Sequence, residues 1–263
     1  MNLEPHGLIA GISIALYCIA TTGLLRATTS ALWPRVIACV ALVLHAIAVH
    51  NALIQDGALY FSLGATVSLF AWQCALLCWL LALARPLQHL GIVIYMLAAL
   101  SIGLGYLSYE TPEKAFSGSW GLGIHVLLSL LSYGLLTIAA LQALALLAQD
   151  RGLRQHHSPP WTNRLPALET MEQMLFQLMG LGLFLLSLTL LSGLLFVDDL
   201  FAQHLAHKTF LSLFAWLVFS TLLWGRWQFG WRGRKAINWT LGGYISLLLA
   251  YFGSKWVLEV ILN

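Results

Sequence analysis

Long apolar stretches joined by short polar connections constrain this chain more than any other feature. Of its 263 residues, 60% are hydrophobic and only 9% are charged, and the mean hydropathy is +0.83. Soluble domains contain about 25% charged residues, so this chain has too few ionic groups to cover a water-facing surface. The stretches are long and unbroken, which favours helices over a barrel of short alternating strands. The sequence therefore predicts an all-α polytopic membrane protein, and it excludes nucleic-acid-binding, secreted disulfide-framework and soluble-enzyme classes.

The hydropathy pattern predicts eight transmembrane helices within a single transmembrane domain that covers residues 1–263. A span needs about 20 apolar residues, and no soluble domain or internal repeat interrupts the series. The first seven residues contain no Lys or Arg and no cleavage site follows them, so we expect the first stretch to be retained as a span. The predicted spans are 8–25, 36–54, 58–82, 90–107, 120–148, 168–196, 206–225 and 237–262.

The distribution of Lys and Arg predicts the orientation. With the N-terminus outside, the inner connections hold ten basic residues and the outer side holds three, namely Lys114, Lys208 and Lys255. The positive-inside rule therefore predicts that both the N-terminus and the C-terminus lie outside. We expect a multi-pass membrane protein.

Ionisable side chains gather at one predicted depth, near the outer ends of four spans. Such side chains are expensive within a bilayer and usually face the bundle interior or a cavity. His125 lies five residues into span five, and His207 opens span seven beside Lys208. The others are His45 and His50 in span two, His204 before span seven, and Lys255 and Glu259 in span eight.

Two imidazoles from different helices can hold the iron of a haem between them, and a helix-bundle interior suits a flat apolar porphyrin. This interpretation makes His125 and His207 the axial ligands of a non-covalent b-type haem, with Lys208 and Lys255 beside its propionates. We include Trp120, at the start of the same span as His125, among the cofactor-binding residues. No Cys-x-x-Cys-His sequence occurs, so covalent haem attachment is not expected. The same residues are equally typical of histidines bonded to a neighbouring helix and of lysines that reach the membrane surface.

Three further patterns have structural interpretations. Tryptophans near the predicted span ends, Trp120 included, are typical of an aromatic belt. Glu169 and Glu172 open span six, where carboxylates suit a helix N-terminus, and a proton or cation path is the alternative. The basic sequence 230–234, Gly-Trp-Arg-Gly-Arg, fits an inner hinge that contacts lipid headgroups or a partner protein.

Several ordered stretches resemble the cytochrome c assembly (CcsA) membrane family. They begin with the run Trp120-Gly-Leu-Gly-Ile-His125, and the resemblance covers a core of about 60–262. Within this superfamily the chain is most similar to the branch called YpjD or CorE, with HemX proteins as near relatives. The other matching stretches are Ser132-Tyr133-Gly134, Leu191-Ser192-Gly193, His207-Lys208-Thr209-Phe210-Leu211-Ser212, 230–234 and 250–253.

The resemblance implies an eight-helix inner-membrane protein that handles haem near its periplasmic face. The family's outer histidine before the haem-handling segment falls on His125. Haem-delivering members carry a tryptophan-rich WWD motif between spans six and seven, but residues 196–208 contain no tryptophan here. The resemblance therefore does not extend to thioether ligation of apocytochromes.

Together these observations predict a haem-binding membrane protein that acts in haem handling or cytochrome c-type biogenesis and is not itself an enzyme. Its expected partners are haem, membrane lipid and other membrane proteins of cytochrome assembly or cation transport, and no nucleic acid. The alternative is an accessory membrane protein without haem that supports magnesium and cobalt homeostasis or transporter assembly. In that alternative, Glu169, Glu172 and the basic inner connections are the expected functional residues.

Overall fold

The protein is described here by a computed structural model that covers residues 5–26, 32–55, 58–107, 113–114, 120–155, 165–196 and 203–256. These residues form eight helices and one small sheet, so the predicted all-α class is confirmed apart from three short strands. The helices are α1 (Pro5–Arg26), α2 (Trp33–Leu53), α3 (Leu63–Ala84), α4 (Gln88–Leu107), α5 (Trp120–Arg154), α6 (Leu168–Phe196), α7 (Gln203–Phe229) and α8 (Arg234–Trp256).

The sheet joins two of the connections between helices. Strand β2 (Ala58–Phe61) pairs antiparallel with β1 (Ile54–Gln55) on one side and with β3 (Glu113–Lys114) on the other. We predicted that the third span begins at residue 58, but α3 begins five residues later. The reason is local, since Ser62 has an extended backbone and its hydroxyl caps α3 by accepting the N–H of Ala65 at 3.1 Å.

Helices α1 to α4 form a compact unit of residues 1–117 in which each helix packs against two others. The contacts close a ring, because α1 packs against α2 and α4, and α3 packs against the same two. Tyr17 and His45 are fully buried in this unit. The indole N–H of Trp72 donates to the carbonyl of Leu42 at 2.9 Å, which fastens α3 to α2.

Helices α5 to α8 form a second compact unit of residues 118–263 with the same order of contacts. Here α5 packs against α6 and α8, and α7 packs against the same two helices. All four contribute side chains to one apolar core, which contains Leu136, Met179, Phe219 and Leu247. The single-domain prediction stays a prediction.

Seven helices, α1 to α7, are long and apolar enough to cross a membrane among the residues that the structure describes. The chain is therefore a multi-span membrane protein. Helix α8 is not among the seven, and the side chains described in it end at Ala250. The count of eight spans and the orientation stay predictions.

Helix α5 is longer than the predicted span 120–148. At 35 residues and 1.5 Å per residue it extends about 52 Å, whereas the hydrocarbon layer is about 30 Å thick. The added residues are polar and end at Arg154, which forms an ion pair with Asp150 at 2.9 Å. An antiparallel set of hydrogen bonds fixes the register of α5 against α6, from Ser132 to Gly182 and from Gln142 to Met171, each at 3.1 Å.

Candidate functional site

His125 lies on the face of α5 that packs against α6. It is separated by seven residues from the buried Ser132, so both lie on one side of the helix at 100° per residue. Its imidazole is half-buried, and Nδ1 lies 3.1 Å from the carbonyl oxygen of Thr189 and 3.0 Å from the hydroxyl oxygen of Ser192. Both partners belong to α6, near its C-terminal end. The ring is therefore held by the neighbouring helix at the end of the unit where α5 begins.

These contacts determine which nitrogen of His125 carries the proton. The Thr189 carbonyl can only accept, and the Ser192 hydroxyl already donates to that same carbonyl at 2.9 Å. Nδ1 must therefore be the donor to both groups, which leaves the lone pair on Nε2. Nε2 has no hydrogen-bond partner in the part of the chain that the structure describes. A neutral imidazole in this state is the form that ligates a metal through Nε2.

The first turn of α5, which leads to His125, packs against the end of α6 through aromatic rings. The ring of Phe196 occupies the space beside Gly121, where a Cβ would lie 2.4 Å from it, so a side chain at 121 would displace Phe196. Trp120 packs on the same ring at 5.6 Å between centroids, but 77% of its surface is exposed. The exposure fits the anchoring role that its position at the start of α5 predicts. The hydroxyl of Thr189 is buried without a hydrogen-bond partner among the described residues.

The structure places the other predicted cofactor residues less completely. His207 and Lys255 belong to α7 and α8, but their side chains lie outside the described part of the chain, as does Glu259 altogether. Lys208 is exposed near the start of α7. The pairing of His125 with His207 therefore stays a prediction. The described residues contain no group of three or more His, Cys, Asp or Glu side chains that could hold a metal ion.

His45 has a different environment from His125. It is fully buried, and both of its ring nitrogens form hydrogen bonds, Nδ1 with the Tyr17 hydroxyl at 3.2 Å and Nε2 with the Ser68 hydroxyl at 2.9 Å. Tyr17 in turn stacks on Tyr95, with 5.7 Å between ring centroids. These four residues come from α1, α2, α3 and α4. With both nitrogens engaged, this histidine links helices and is not available as a ligand.

The carboxylates near the start of α6 lie beside arginines. The sequence left two interpretations of these carboxylates open, stabilisation of the helix N-terminus and a proton or cation path. Oε1 of Glu172 accepts from Arg226 at 2.9 Å and from Arg232 at 3.1 Å, and Oε2 accepts the N–H of Gly233 at 3.3 Å. Glu169 lies 3.8 Å from Arg232. Glu172 therefore fastens the turn between α7 and α8 to α6, instead of capping its own helix.

Sequence reasoning missed the two partners of His125. Thr189 and Ser192 were not among the predicted site residues. Two other serines of this unit link helices instead, since Ser132 donates to the Gly182 carbonyl and Ser187 accepts the Trp216 indole N–H at 2.8 Å. The available signal was the antiparallel arrangement of spans five and six, which places the start of one beside the end of the other.

Comparison with known proteins connects this arrangement to a family. The profile described as Cytochrome C assembly protein matches residues 33–262, which is most of the chain. The chain belongs to the cytochrome c assembly protein family. The match begins well before the predicted core of about 60–262, so it includes α2 and His45 as well as α5 to α8.

Named members of the family are similar over much of their length. The inner membrane protein YpjD of Escherichia coli strain K12 is 34% identical over 85% of this chain and 86% of its own. A cytochrome c biogenesis protein CcsA of Synechococcus sp. strain CC9902 is 25% identical over 70% of each chain. Protein HemX of Brevibacillus brevis is 26% identical over 55% of each chain. No solved structure matches this member of the family.

Proposed function

We propose that this protein binds a non-covalent b-type haem at the outer face of the bacterial inner membrane and acts in haem handling or cytochrome c-type biogenesis. The observation that supports this most directly is the state of His125. Its Nδ1 donates to α6, and its Nε2 keeps a lone pair with no hydrogen-bond partner among the described residues. The similarity to the cytochrome c biogenesis protein CcsA supports the link to cytochrome c biogenesis, and the similarity to the inner membrane protein YpjD supports the inner membrane.

The order of helices in the second unit suits a ligand on α7 opposite His125. Because α5 and α7 each pack against α6 and α8, they occupy opposite corners of the ring. The hydroxyls of Tyr133 and Ser212 meet at 3.3 Å and join these two corners. His125 precedes Tyr133 by eight residues, about 12 Å, and His207 precedes Ser212 by five, about 7.5 Å. Both histidines therefore belong to the same end of the unit.

In this proposal His125 and His207 are the axial ligands, and Lys208 and Lys255 bind the propionates at the membrane surface. A bound haem would supply an iron that exchanges a single electron. The chain's own residues orient the ligand and hold the porphyrin among apolar side chains, and we assign it no catalysis. The proposed orientation, with eight spans and both termini outside, places these residues on the periplasmic side.

The test is the absorbance spectrum of the detergent-purified protein, expressed with ample haem and recorded oxidised and then reduced. The wild-type protein should show a Soret band with the sharp bands of a bis-histidine haem. His125→Ala and His207→Ala should each abolish the bis-histidine spectrum. Helical register places His204 nearer than His207 to the line of Ser212, Ala215 and Phe219 on α7, so His204→Ala belongs in the same series.

His50→Ala is the matched control, because this imidazole is exposed on α2 and no ligand role is proposed for it. Its spectrum should equal that of the wild type. If wild-type protein purified with ample haem has no Soret band, the proposed function is wrong. If the bis-histidine spectrum survives in His207→Ala but is lost in His204→Ala, the second ligand is misassigned while haem binding stands.

The alternative function in magnesium or cobalt homeostasis gains no support from the inner carboxylates. Glu172 binds two guanidinium groups and a backbone N–H, and Glu169 lies beside one of the same arginines. Neither carboxylate is arranged to coordinate a cation. A deletion strain with altered tolerance to divalent cations and intact c-type cytochromes would favour the alternative over haem binding.

A further inference from the structure

A groove of about 320 Å³ opens on the surface of the second unit between α7 and α8. This volume lies at the lower end of the range of about 300–1,000 Å³ that small-molecule sites occupy. The lining is mostly apolar, with a single amide among it. The lining residues are Phe214, Val218, Asn238, Trp239 and Gly242.

A cation continues the α8 side of the groove. Asn238 and Trp239 follow Lys235 by three and four residues, and Gly242 follows them by four and three, so the four lie on one face of the helix. At 1.5 Å per residue, Asn238 lies about 4.5 Å and Gly242 about 10.5 Å further along α8 than Lys235. Counted from the first residue of α8, this face therefore presents a cation, then an amide, then an apolar channel.

The channel exists because residue 242 has no side chain. A Cβ built on Gly242 meets no atom within 4 Å, so the space beside it is open. One wall is fixed, since Trp239 packs against the apolar core of the unit and against Trp231, with 5.4 Å between the ring centroids, whereas Phe214 on the other side is 55% exposed. A larger residue at 242 would therefore fill the groove without disturbing Trp239.

Lys235 is a cation at this end of the unit that has no carboxylate partner among the described residues, and Arg151 on α5 is another. The Nζ of Lys235 lies 3.5 Å from the centre of the Trp231 ring. The neighbouring arginines are engaged, Arg234 by Asp150 at 2.9 Å and Arg232 by Glu172 at 3.1 Å. The ammonium of Lys235 thus keeps its hydrogen-bonding capacity for an external anion.

The ion-pair cluster beside Lys235 is also cationic overall. Among the described residues, its members together with Lys235 contribute five cationic side chains and three carboxylates, an excess of two positive charges near the start of α8. The cationic members are Arg154, Arg226, Arg232, Arg234 and Lys235, and the carboxylates are those of Asp150, Glu169 and Glu172.

We propose that this groove binds one anionic phospholipid from the surrounding leaflet. The phosphate binds Lys235, the amide of Asn238 donates to an ester carbonyl, and an acyl chain lies over Gly242 between Phe214 and Trp239. A phospholipid has the same order of chemistry along its length, since the ester groups follow the phosphate and the hydrocarbon follows the esters. An excess of basic residues at a membrane surface selects anionic over zwitterionic headgroups. The inference does not depend on haem binding.

Native mass spectrometry of the full-length protein, purified in detergent and supplied with phosphatidylglycerol or phosphatidylcholine, tests this site. The wild type should retain one phosphatidylglycerol and little phosphatidylcholine. Gly242→Leu should lose the retained lipid, because the side chain fills the groove. Lys235→Gln should reduce the preference for phosphatidylglycerol about fivefold, the effect expected of one basic residue at a lipid surface.

Gly180→Leu is the matched control, since a side chain there also enters open space but on α6, away from the groove. It should retain the lipid as the wild type does, and both leucine variants should elute as folded protein because leucine favours a helix more than glycine. Undiminished lipid retention by Gly242→Leu would overturn the proposal. Equal retention of both lipids by the wild type would refute the anionic preference. A dimer that only Gly242→Leu disrupts would assign the groove to a second copy of the chain instead.

Discussion

The two histidines with described contacts differ in how many of their nitrogens the protein uses. His45 has both nitrogens bonded to hydroxyls from neighbouring helices, whereas His125 has only Nδ1 engaged. Buried polar groups within a membrane protein need partners, because the hydrocarbon offers none. The sequence placed both among the ionisable side chains at one predicted depth, but it did not separate an imidazole with two bonded nitrogens from one with a free nitrogen.

Replacement of His45 by Leu should destabilise the first unit. The substitution leaves the hydroxyls of Tyr17 and Ser68 without their partner in a buried site, at a cost of about 1–3 kcal/mol. Thermal unfolding in detergent should show a lower midpoint than in the wild type. His50→Leu changes an exposed residue of the same helix and should alter stability by less than about 0.5 kcal/mol. Equal midpoints for His45→Leu and wild type would argue against a structural role.

Ser192→Ala should remove one of the two hydrogen-bond acceptors of His125 Nδ1 and leave the other in place. Nδ1 keeps the Thr189 carbonyl as its acceptor, but it loses the hydroxyl at 3.0 Å. Loss of an outer partner of a ligating histidine typically costs 10–100-fold in metal affinity, and we expect an effect near the lower value because one acceptor remains. Haem titration of the purified protein measures it. Ser192→Thr, which retains the hydroxyl, should restore the affinity, and failure of that rescue would show that packing alone is responsible.

At the scale of elements, helix positions were predictable and their partners were not. The predicted span 168–196 coincides with α6, because apolar composition alone defines a helix in a membrane. The strand β2 was missed, because four residues beside an apolar stretch have no hydropathy signal of their own.

The turn at 230–234 was recognised as basic and tight. Its glycines have positive φ values of 64° at Gly230 and 59° at Gly233, as the two glycines in the sequence suggest. That a glutamate 58 residues upstream of Gly230 fastens this turn depends on tertiary packing, which no local pattern encodes.

Glu172→Gln should loosen the connection between α7 and α8. The amide keeps one acceptor but loses the charge that faces Arg226 and Arg232, and its NH₂ group opposes the N–H of Gly233. We expect a loss of about 2–3 kcal/mol, less than for a fully buried pair because Arg232 is 54% exposed. Limited trypsin digestion should cleave faster at the arginines of the turn. The Glu169→Gln variant loses a carboxylate that is 70% exposed, and trypsin should cleave it at the wild-type rate.

At the scale of the whole molecule, both compact units have the same order of helix contacts. In each, the first and third helices pack against the second and fourth. This shared order was not predictable, because the sequence contains no detectable repeated motif. Ring packing of four membrane helices requires only apolar faces of suitable length, so the two units share a contact order without sharing a pattern of residues. The orientation, by contrast, comes from charge alone and has its own test.

Single cysteines in the two longest connections test the orientation. In a variant with the four native cysteines replaced by alanine, Ser117→Cys should react with a membrane-impermeant thiol reagent in intact spheroplasts. Ser158→Cys should react only after the membrane is permeabilised, since ten of the thirteen basic residues belong to its side. The opposite pattern would invert the proposed orientation and with it the periplasmic position of His125.

The imidazole of His125 is held partly by a backbone oxygen, and this affects how the family can diverge. A carbonyl remains in place whatever side chain its residue bears, so position 189 can mutate freely while the acceptor persists. The Ser132 hydroxyl likewise bonds to the carbonyl of Gly182. Distant homologues whose sixth helix differs in sequence can therefore keep the proton on Nδ1 of this histidine, because the acceptor is a backbone carbonyl and not a side chain.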